Sequence, residues 1–219
     1  TLLSFVAGVT EKVRLCTGVY LLPLRHPTTT AKVTSTLDVL SGGRLTLGVG
    51  VGGEFPQEFE ATGVPLAERG SRADEAIEIL RRLWSEDKVV HEGRHFRFGP
   101  VSLDPKPIQA GGPPIVVGGR KGPTFRRAGA LGDGYISHMC SAEQYATNLG
   151  VIEGHAKAAG RSGVGFETGP LGILLFMFLA GLWGLMFTGF PYAIALKTGN
   201  AAAVNISFLL FFPFLFTTT

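Results

Sequence analysis

The sequence predicts an α/β fold of parallel strands covered by helices, followed by a hydrophobic helical segment. Three observations predict it. Apolar runs that suit strands alternate with amphipathic runs that suit helices as far as Thr168. The strand runs are apolar on both faces, as parallel strands lying between helices must be. After Glu167 the only charged side chain is Lys197. Alternation of this kind allows a doubly wound sheet or a β/α barrel, and periodicity leaves both open.

Leu2, Leu3, Phe5, Val6 and Val9 fit one face of a short helix ending near Glu11 and Lys12. Residues 13–22, VRLCTGVYLL, read as one largely buried strand that Pro23 stops. Pro27 suits the first turn of the next helix, where its missing N–H costs nothing, and Ala31, Val33, Leu37 and Leu40 form its apolar side. Ser41-Gly42-Gly43 ends that helix, and residues 44–50 form the next strand. Residues 54–63 read as a short helix and turn. Residues 68–84 are the clearest helix. There Ala73, Ile77, Leu80 and Trp84 recur at three and four, leaving Asp74, Glu75, Glu78, Arg81 and Arg82 to face water. Residues 89–107 are an excursion with short strand-like pieces. A third strand covers 113–119, a helix 124–131 and a short fourth strand 134–137. Ser141 is an N-cap residue type opening a helix to about Ala159.

A chain of 219 residues makes one or two domains. Its formal charge of +3 is scattered and gives no basic stripe, which argues against nucleic acid as a partner. The pI of about 9.0 and mean hydropathy of +0.27 both owe much to the acid-free tail. Two cysteines, Cys16 and Cys140, lack metal-type spacing and predict buried or half-buried free thiols in a reducing compartment. The first fifteen residues have neither a basic leader nor a cleavage pattern. The absent initiator methionine predicts a chain that begins inside a longer protein.

Four stretches carry a resemblance: VRLCTGVYLLPLRHP (13–27), LDVLSGGRLTLGVGVGGEFPQEFEATGVP (37–65), RADEAIEILRRLW (72–84) and PKPIQAGGPPIVVGGRKGPTFRRAGALGDGY (105–135). In content, order and spacing they resemble the bacterial luciferase-like oxidoreductases over residues 1–168, with the deazaflavin branch the nearest in phrasing. The resemblance implies a (β/α)8 barrel and a hydride-transferring cofactor, coenzyme F-420 or FMN. It also implies a partial barrel. About four of the eight strands are present, the earlier ones fall before Thr1, and the last two should follow Phe166. The catalytic histidine the family carries after its second strand then precedes Thr1 and maps to no residue here.

Active sites of β/α barrels sit at the carboxyl ends of the strands. That selects four places. Gly118, Gly119 and Arg120 end a buried strand and lead into a helix. Small residues there admit a phosphate to the backbone, and the helix N-terminus and Arg120 favour an anion. The resemblance puts the cofactor phosphate at this turn; an ordinary glycine-rich turn is the alternative. Gly48, Gly50 and Gly52 belong to a G-x-G-x-G-G run that departs from the dinucleotide pattern. It reads as a strand end stripped of side chains so that a flat ring can lie close, or as turn geometry alone. Gly18 and Val19 fall where the resemblance implies a non-proline cis peptide bulging towards the ring; a regular strand with Gly18 for close packing is the alternative. His26, just past a strand end, is a weak catalytic candidate, and His138 a weaker one. His91, His95 and His155 read as solvated. Arg44, Arg69 and Arg72 read as structural, serving carbonyls and carboxylates between helices.

Residues 171–190, LGILLFMFLAGLWGLMFTGF, carry no charge. At about 1.5 Å per residue they match the roughly 30 Å core of a bilayer. The run GFPYAIALKTGNAAAVNISFLLFFPFLF resembles a membrane segment of an ABC transporter permease. The expectation is a transmembrane-like helical hairpin over 169–219, with residues 171–216 holding a cytoplasmic domain at a membrane. Two cut families meeting at one junction further predict a chimera. The leading reading is a luciferase-like oxidoreductase acting on a small organic substrate and assembling as a homo-oligomer, with an inactive, incomplete barrel left open beside it. The alternative is a permease fragment with a passenger domain.

Overall fold

The computed structural model describes residues 2–161, which fall within the compact unit Thr1–Gly165. The expected helical hairpin over 169–219 lies outside the described residues. In chain order, α1 (Leu2–Val9) precedes two short strands, β1 (Leu15–Cys16) and β2 (Tyr20–Leu21), and α2 (Pro27–Leu40). Then come β3 (Leu45–Gly50), α3 (Pro56–Thr62), α4 (Arg69–Ser85), β4 (Val89–Glu92) and β5 (Arg97–Val101). They are followed by β6 (Ile115–Gly118), α5 (Gly122–Leu131), β7 (Gly134–Ile136) and α6 (Ala142–Ala158).

The main sheet is parallel. Both β1 and β2 pair with β3, β3 pairs with β6, and β6 with β7. Leu15 opposes Leu45 and Tyr20 opposes Val49, so the two short strands continue one strand line. The continuous strand expected over 13–22 is therefore broken. Thr17–Val19 leaves the line, with the expected cis peptide between Gly18 and Val19. Alternation sends Leu47, Val49, Ile115 and Val117 to one face, where they pack against Ile77, Leu80, Leu83 and Trp84 of α4. The opposite face carries Gly48, Gly50, Val116 and Gly118. These sheet positions and the βαβ order are those of a β/α barrel sector, its strand ends gathered on one rim.

The stripe expected on α4 is buried as read. That on α2 is not. Ala31 and Leu37 are buried, but Val33 and Leu40 are 55% and 63% exposed, and Thr30, Thr34, Ser35 and Asp38 go inside. The polar groups are satisfied there. Thr34 donates to the carbonyl of Thr30, and Asp38 accepts the amides of Ile108 and Gln109 at 2.9 and 3.0 Å. On α1, Ala7 packs inward with Leu3 and Val6, while Leu2, Phe5 and Val9 remain exposed.

Several side chains read as solvated are engaged. Asp74 pairs with Arg126 and Arg127, and Arg81 reaches Asp133 at 2.8 Å. Glu75 takes Nε2 of His91 at 3.0 Å and the amides of His95 and Phe96 at 2.9 Å each, docking the β4–β5 hairpin on α4. His95 itself meets Ser71 and Glu68. The structural reading of Arg44 holds: its guanidinium donates to the carbonyls of Ala7, Thr10, Val13 and Ser41. Two of those lie at the end of α1, where carbonyls lack helical partners. Ser141 caps α6 through a reciprocal capping box with Gln144. Cys16 is exposed, against the expectation of burial, and Cys140 is half-buried.

Candidate functional site at the carboxyl rim of the sheet

Gly48 and Gly50 lie on β3 beside β6, where Val49 opposes Val117. Gly118 therefore ends its strand next to Gly50, and the two glycine turns share one rim. What approaches these glycines is the protein itself. A Cβ on Gly48 would sit 1.9 Å from the carbonyl oxygen of Thr17. One on Gly50 would meet Cγ2 of Val19 at 2.5 Å, and one on Gly118 would meet Cγ1 of the same valine at 2.6 Å. Oγ1 of Thr17 also donates to the carbonyl of Gly48 at 2.7 Å. The space expected for a ring directly against Gly48 and Gly50 is thus taken by Thr17–Val19. Gly18 itself is exposed and has open space above it.

Beyond β6, Gly119 has φ 144°, and a Cβ there would strike Oγ1 of Thr124 at 2.5 Å, which brings its backbone against the first turn of α5. Lys121 caps that helix without a side-chain hydrogen bond, and Arg120 is exposed beside it. Gly52, at φ 64°, turns the chain after β3 against Leu21 and Phe59. A pocket of about 240 Å³ opens between Arg120 and the end of β7, lined also by Tyr135, His138, Cys140, Gln144 and Asn148. Tyr135 donates its hydroxyl to the carbonyl of Gly119 at 2.9 Å and stacks on Tyr145. Burial pushes the Tyr135 phenol up against the opposing hydrogen bond from Asn148, which keeps it a donor at neutral pH. His138 thus lies in this pocket with Arg120.

His26 sits elsewhere on the rim. It is the N-cap of α2, its Nδ1 accepting the Thr28 amide at 3.4 Å and lying 2.7 Å from Oγ1 of Thr28. Its ring stands edge-on to Phe96 at 5.4 Å. Burial, helped by the charge of Arg72, lowers its pKa and favours the neutral ring that the cap needs. Among the described residues no cluster of three or more His, Cys, Asp and Glu is placed to hold a metal ion. The residues present do fit a phosphorylated ring. Gly18 offers uncovered backbone, and the Gly119–Arg120 turn offers a helix N-terminus with the exposed Arg120 beside it.

The family described as luciferase-like monooxygenase matches residues 1–176. The chain belongs to that family. An uncharacterized protein of Mycobacterium tuberculosis is 38% identical over 135 residues, 62% of this chain and 46% of that protein. The FMNH2-dependent dimethylsulfone monooxygenase of Pseudomonas putida is 31% identical over 165 residues, 74% of this chain and 45% of that enzyme. The structure of coenzyme F-420-dependent tetrahydromethanopterin reductase from Methanopyrus kandleri aligns with a TM-score of 0.65 at 26% identity, covering 74% of this chain and 50% of that one. This chain spans about half the length of the relatives it matches.

The luciferase-like match covers residues 1–176, and nothing in the comparisons supports the permease resemblance or the chimera. The membrane placement of the chain is corrected as well: no helix among the described residues is long and apolar enough to cross a membrane, and the similar proteins are an FMNH2-dependent monooxygenase and an F-420-dependent reductase.

Sequence reasoning missed two parts of this site. It gave Thr17 no role beside the expected cis peptide, because nothing local to a threonine shows that its hydroxyl will bond the Gly48 carbonyl. It also overlooked Tyr135, whose hydroxyl holds the Gly119 carbonyl; a tyrosine in a short apolar strand reads as core until its partner is known.

Proposed function

We propose that this luciferase-like protein binds a phosphorylated flavin or deazaflavin, FMN or coenzyme F-420, at the carboxyl rim of its sheet. In this reading it acts with a small organic substrate. The observation that carries the proposal is the shared rim: Gly18 lies in the bulge between β1 and β2, Gly50 and Gly118 end the neighbouring parallel strands β3 and β6, and α5 begins just beyond β6. The names of the similar enzymes, one FMNH2-dependent and one F-420-dependent, support the choice of cofactor class. The domain division at 168/169 belongs to the same reading.

The residues divide the task. Gly119 and the first turn of α5 would face the phosphate with backbone amides, and Arg120 would add a charge. Gly18 and Val19 would lie under the ring, with Gly48, Gly50 and Gly118 behind them and Gly52 turning the chain away from the rim. The bound cofactor would supply hydride transfer, and the protein placement and exclusion of water. His26 keeps Nδ1 for its helix cap, which leaves only its other nitrogen to face a ligand.

Titration with FMN and with riboflavin, followed by flavin fluorescence, tests the proposal. FMN should bind at least about tenfold more tightly, since one charge-assisted contact to phosphate contributes about 1.5–3 kcal/mol. Failure to bind FMN and F-420 alike, or equal affinity for riboflavin and FMN, would end it.

A further inference from the structure

The start of α4 carries a second group of polar side chains. Glu68 and Ser71 lie three residues apart where the helix begins, so their side chains share a face. The side chain of His95, 3% exposed, touches both. Its Nδ1 is 3.3 Å from Oε2 of Glu68, and its Nε2 is 2.8 Å from Oγ of Ser71. A neutral imidazole holds one proton, and the carboxylate, which can only accept, draws that proton to Nδ1. Nε2 is then bare and accepts the Ser71 hydroxyl. The other acceptor near that hydroxyl, the Glu68 carbonyl, is farther away at 3.1 Å. The surroundings hold the group in place. Arg72 stands 3.7 Å from the Glu68 carboxylate, and Glu75 accepts the backbone amide of His95 at 2.9 Å. Glu75 also takes His91 and the amide of Phe96, so the hairpin has anchors besides the His95 ring. Ser71 itself is exposed.

We infer that Ser71 is a nucleophile, with His95 as its base and Glu68 as the positioning residue, and that it takes acyl groups from small activated esters or thioesters. A hydroxyl bonded to a base that a third group orients is the arrangement that activates serine. In the step, Oγ bonds to the carbonyl carbon, and the bond from that carbon to the leaving oxygen or sulfur breaks with its electron pair. The hydroxyl proton goes to Nε2 of His95 and from there to the leaving group. Water then attacks the acyl-serine, releases the acid and restores the hydroxyl. Activated donors are the class such a site takes, because an amide would need further donors aimed at its oxyanion. No cofactor takes part, so FMN or F-420 binding can succeed or fail without bearing on Ser71.

The full chain is treated with p-nitrophenyl acetate, and acetylation is read residue by residue by peptide mass spectrometry. Thiols and lysines that also acetylate are thereby set apart. Ser71 should acetylate at least about 100-fold faster than the exposed Ser102, the low end of what a positioned base contributes. His95→Ala should remove that advantage. Glu68→Gln should slow Ser71 about tenfold or more and change the imidazole 15N shifts of His95 as its proton is no longer held on Nδ1. Wild-type Ser71 acetylating no faster than Ser102 would overturn the assignment, whatever the variants do. Undiminished acetylation in His95→Ala, the result expected of a ring that only ties the hairpin down, would overturn it as well. An unchanged rate and unchanged 15N shifts in Glu68→Gln would remove Glu68 from the group.

Discussion

Oε1 of Glu75 stands 3.0 Å from Nε2 of His91, and the same carboxylate accepts the amides of His95 and Phe96. One side chain of α4 thus holds the turn of the β4–β5 hairpin. Burial alone would raise the Glu75 pKa, but the bonds from His91, Phe96 and His95 together outweigh it and leave it lowered. A depressed carboxylate stabilises the fold above its unfolded value, here 4.5, and the contribution is lost as pH falls through the folded value. Glu75→Gln should cost about 1–3 kcal/mol at neutral pH by leaving a donor unpaired. It should also flatten the loss of stability below about pH 4.5. Denaturant midpoints across pH check both, and hydrogen exchange at the His95 and Phe96 amides should quicken.

His26 gives a second pH dependence of known sign. Its pKa is lowered from 6.5 by burial and by Arg72, and the neutral ring accepts the Thr28 amide. The stability it provides is complete above about pH 6.5 and falls as pH drops through the lowered folded value. His26→Asn keeps a capping side chain without a titrating ring. The midpoint of wild type should fall relative to this variant as pH drops below about 6.5, and the difference should stop changing with pH above about 7. A constant difference across that range would refute the assignment.

Arg127 is 3% exposed and shares Asp74 with Arg126. Asp74→Asn strands a buried guanidinium. The expected loss is about 3–5 kcal/mol, little changed by salt, because the pair is shielded from solvent. Urea unfolding at low and high ionic strength measures it.

Gly112 has φ 95°, and a Cβ there would lie 2.2 Å from the Trp84 ring. Gly112→Ala should destabilise by about 1–3 kcal/mol, through both backbone strain and overpacking. Gly99, on β5, has nothing within 4 Å of the same position. Gly99→Ala should stay within about 0.5 kcal/mol of wild type. Paired thermal melts of the two variants decide it.

Arg120 is exposed beside the α5 N-terminus. Arg120→Ala should weaken FMN about tenfold while leaving riboflavin affinity unchanged, because only FMN carries the phosphate. Equal losses for both ligands would remove the phosphate role from this residue.

Reading elements from the sequence worked where the hydrophobic effect acts on one face alone. The stripe Ala73, Ile77, Leu80 and Trp84 is buried because α4 lies flat on the sheet. It failed on α2, where Val33 and Leu40 point out and Thr34, Ser35 and Asp38 point in. Apolarity cannot reveal a face whose polar groups are satisfied by partners about seventy residues away, as Asp38 is by Ile108 and Gln109.

The sequence by itself determined the parallel α/β order, the strand end at Gly50 and, to within a residue, that at Gly118, the cap at Ser141 and the family, because these depend on local periodicity and on motifs contiguous in the chain. Only the tertiary structure decided what the glycines are for. Gly118 lies far from Gly48 and Gly50 in sequence, and the reason none of the three bears a side chain is the Thr17–Val19 segment packed across them all. Exclusion of one segment's atoms from another's space is a property of the folded neighbourhood, and no spacing along the chain encodes it.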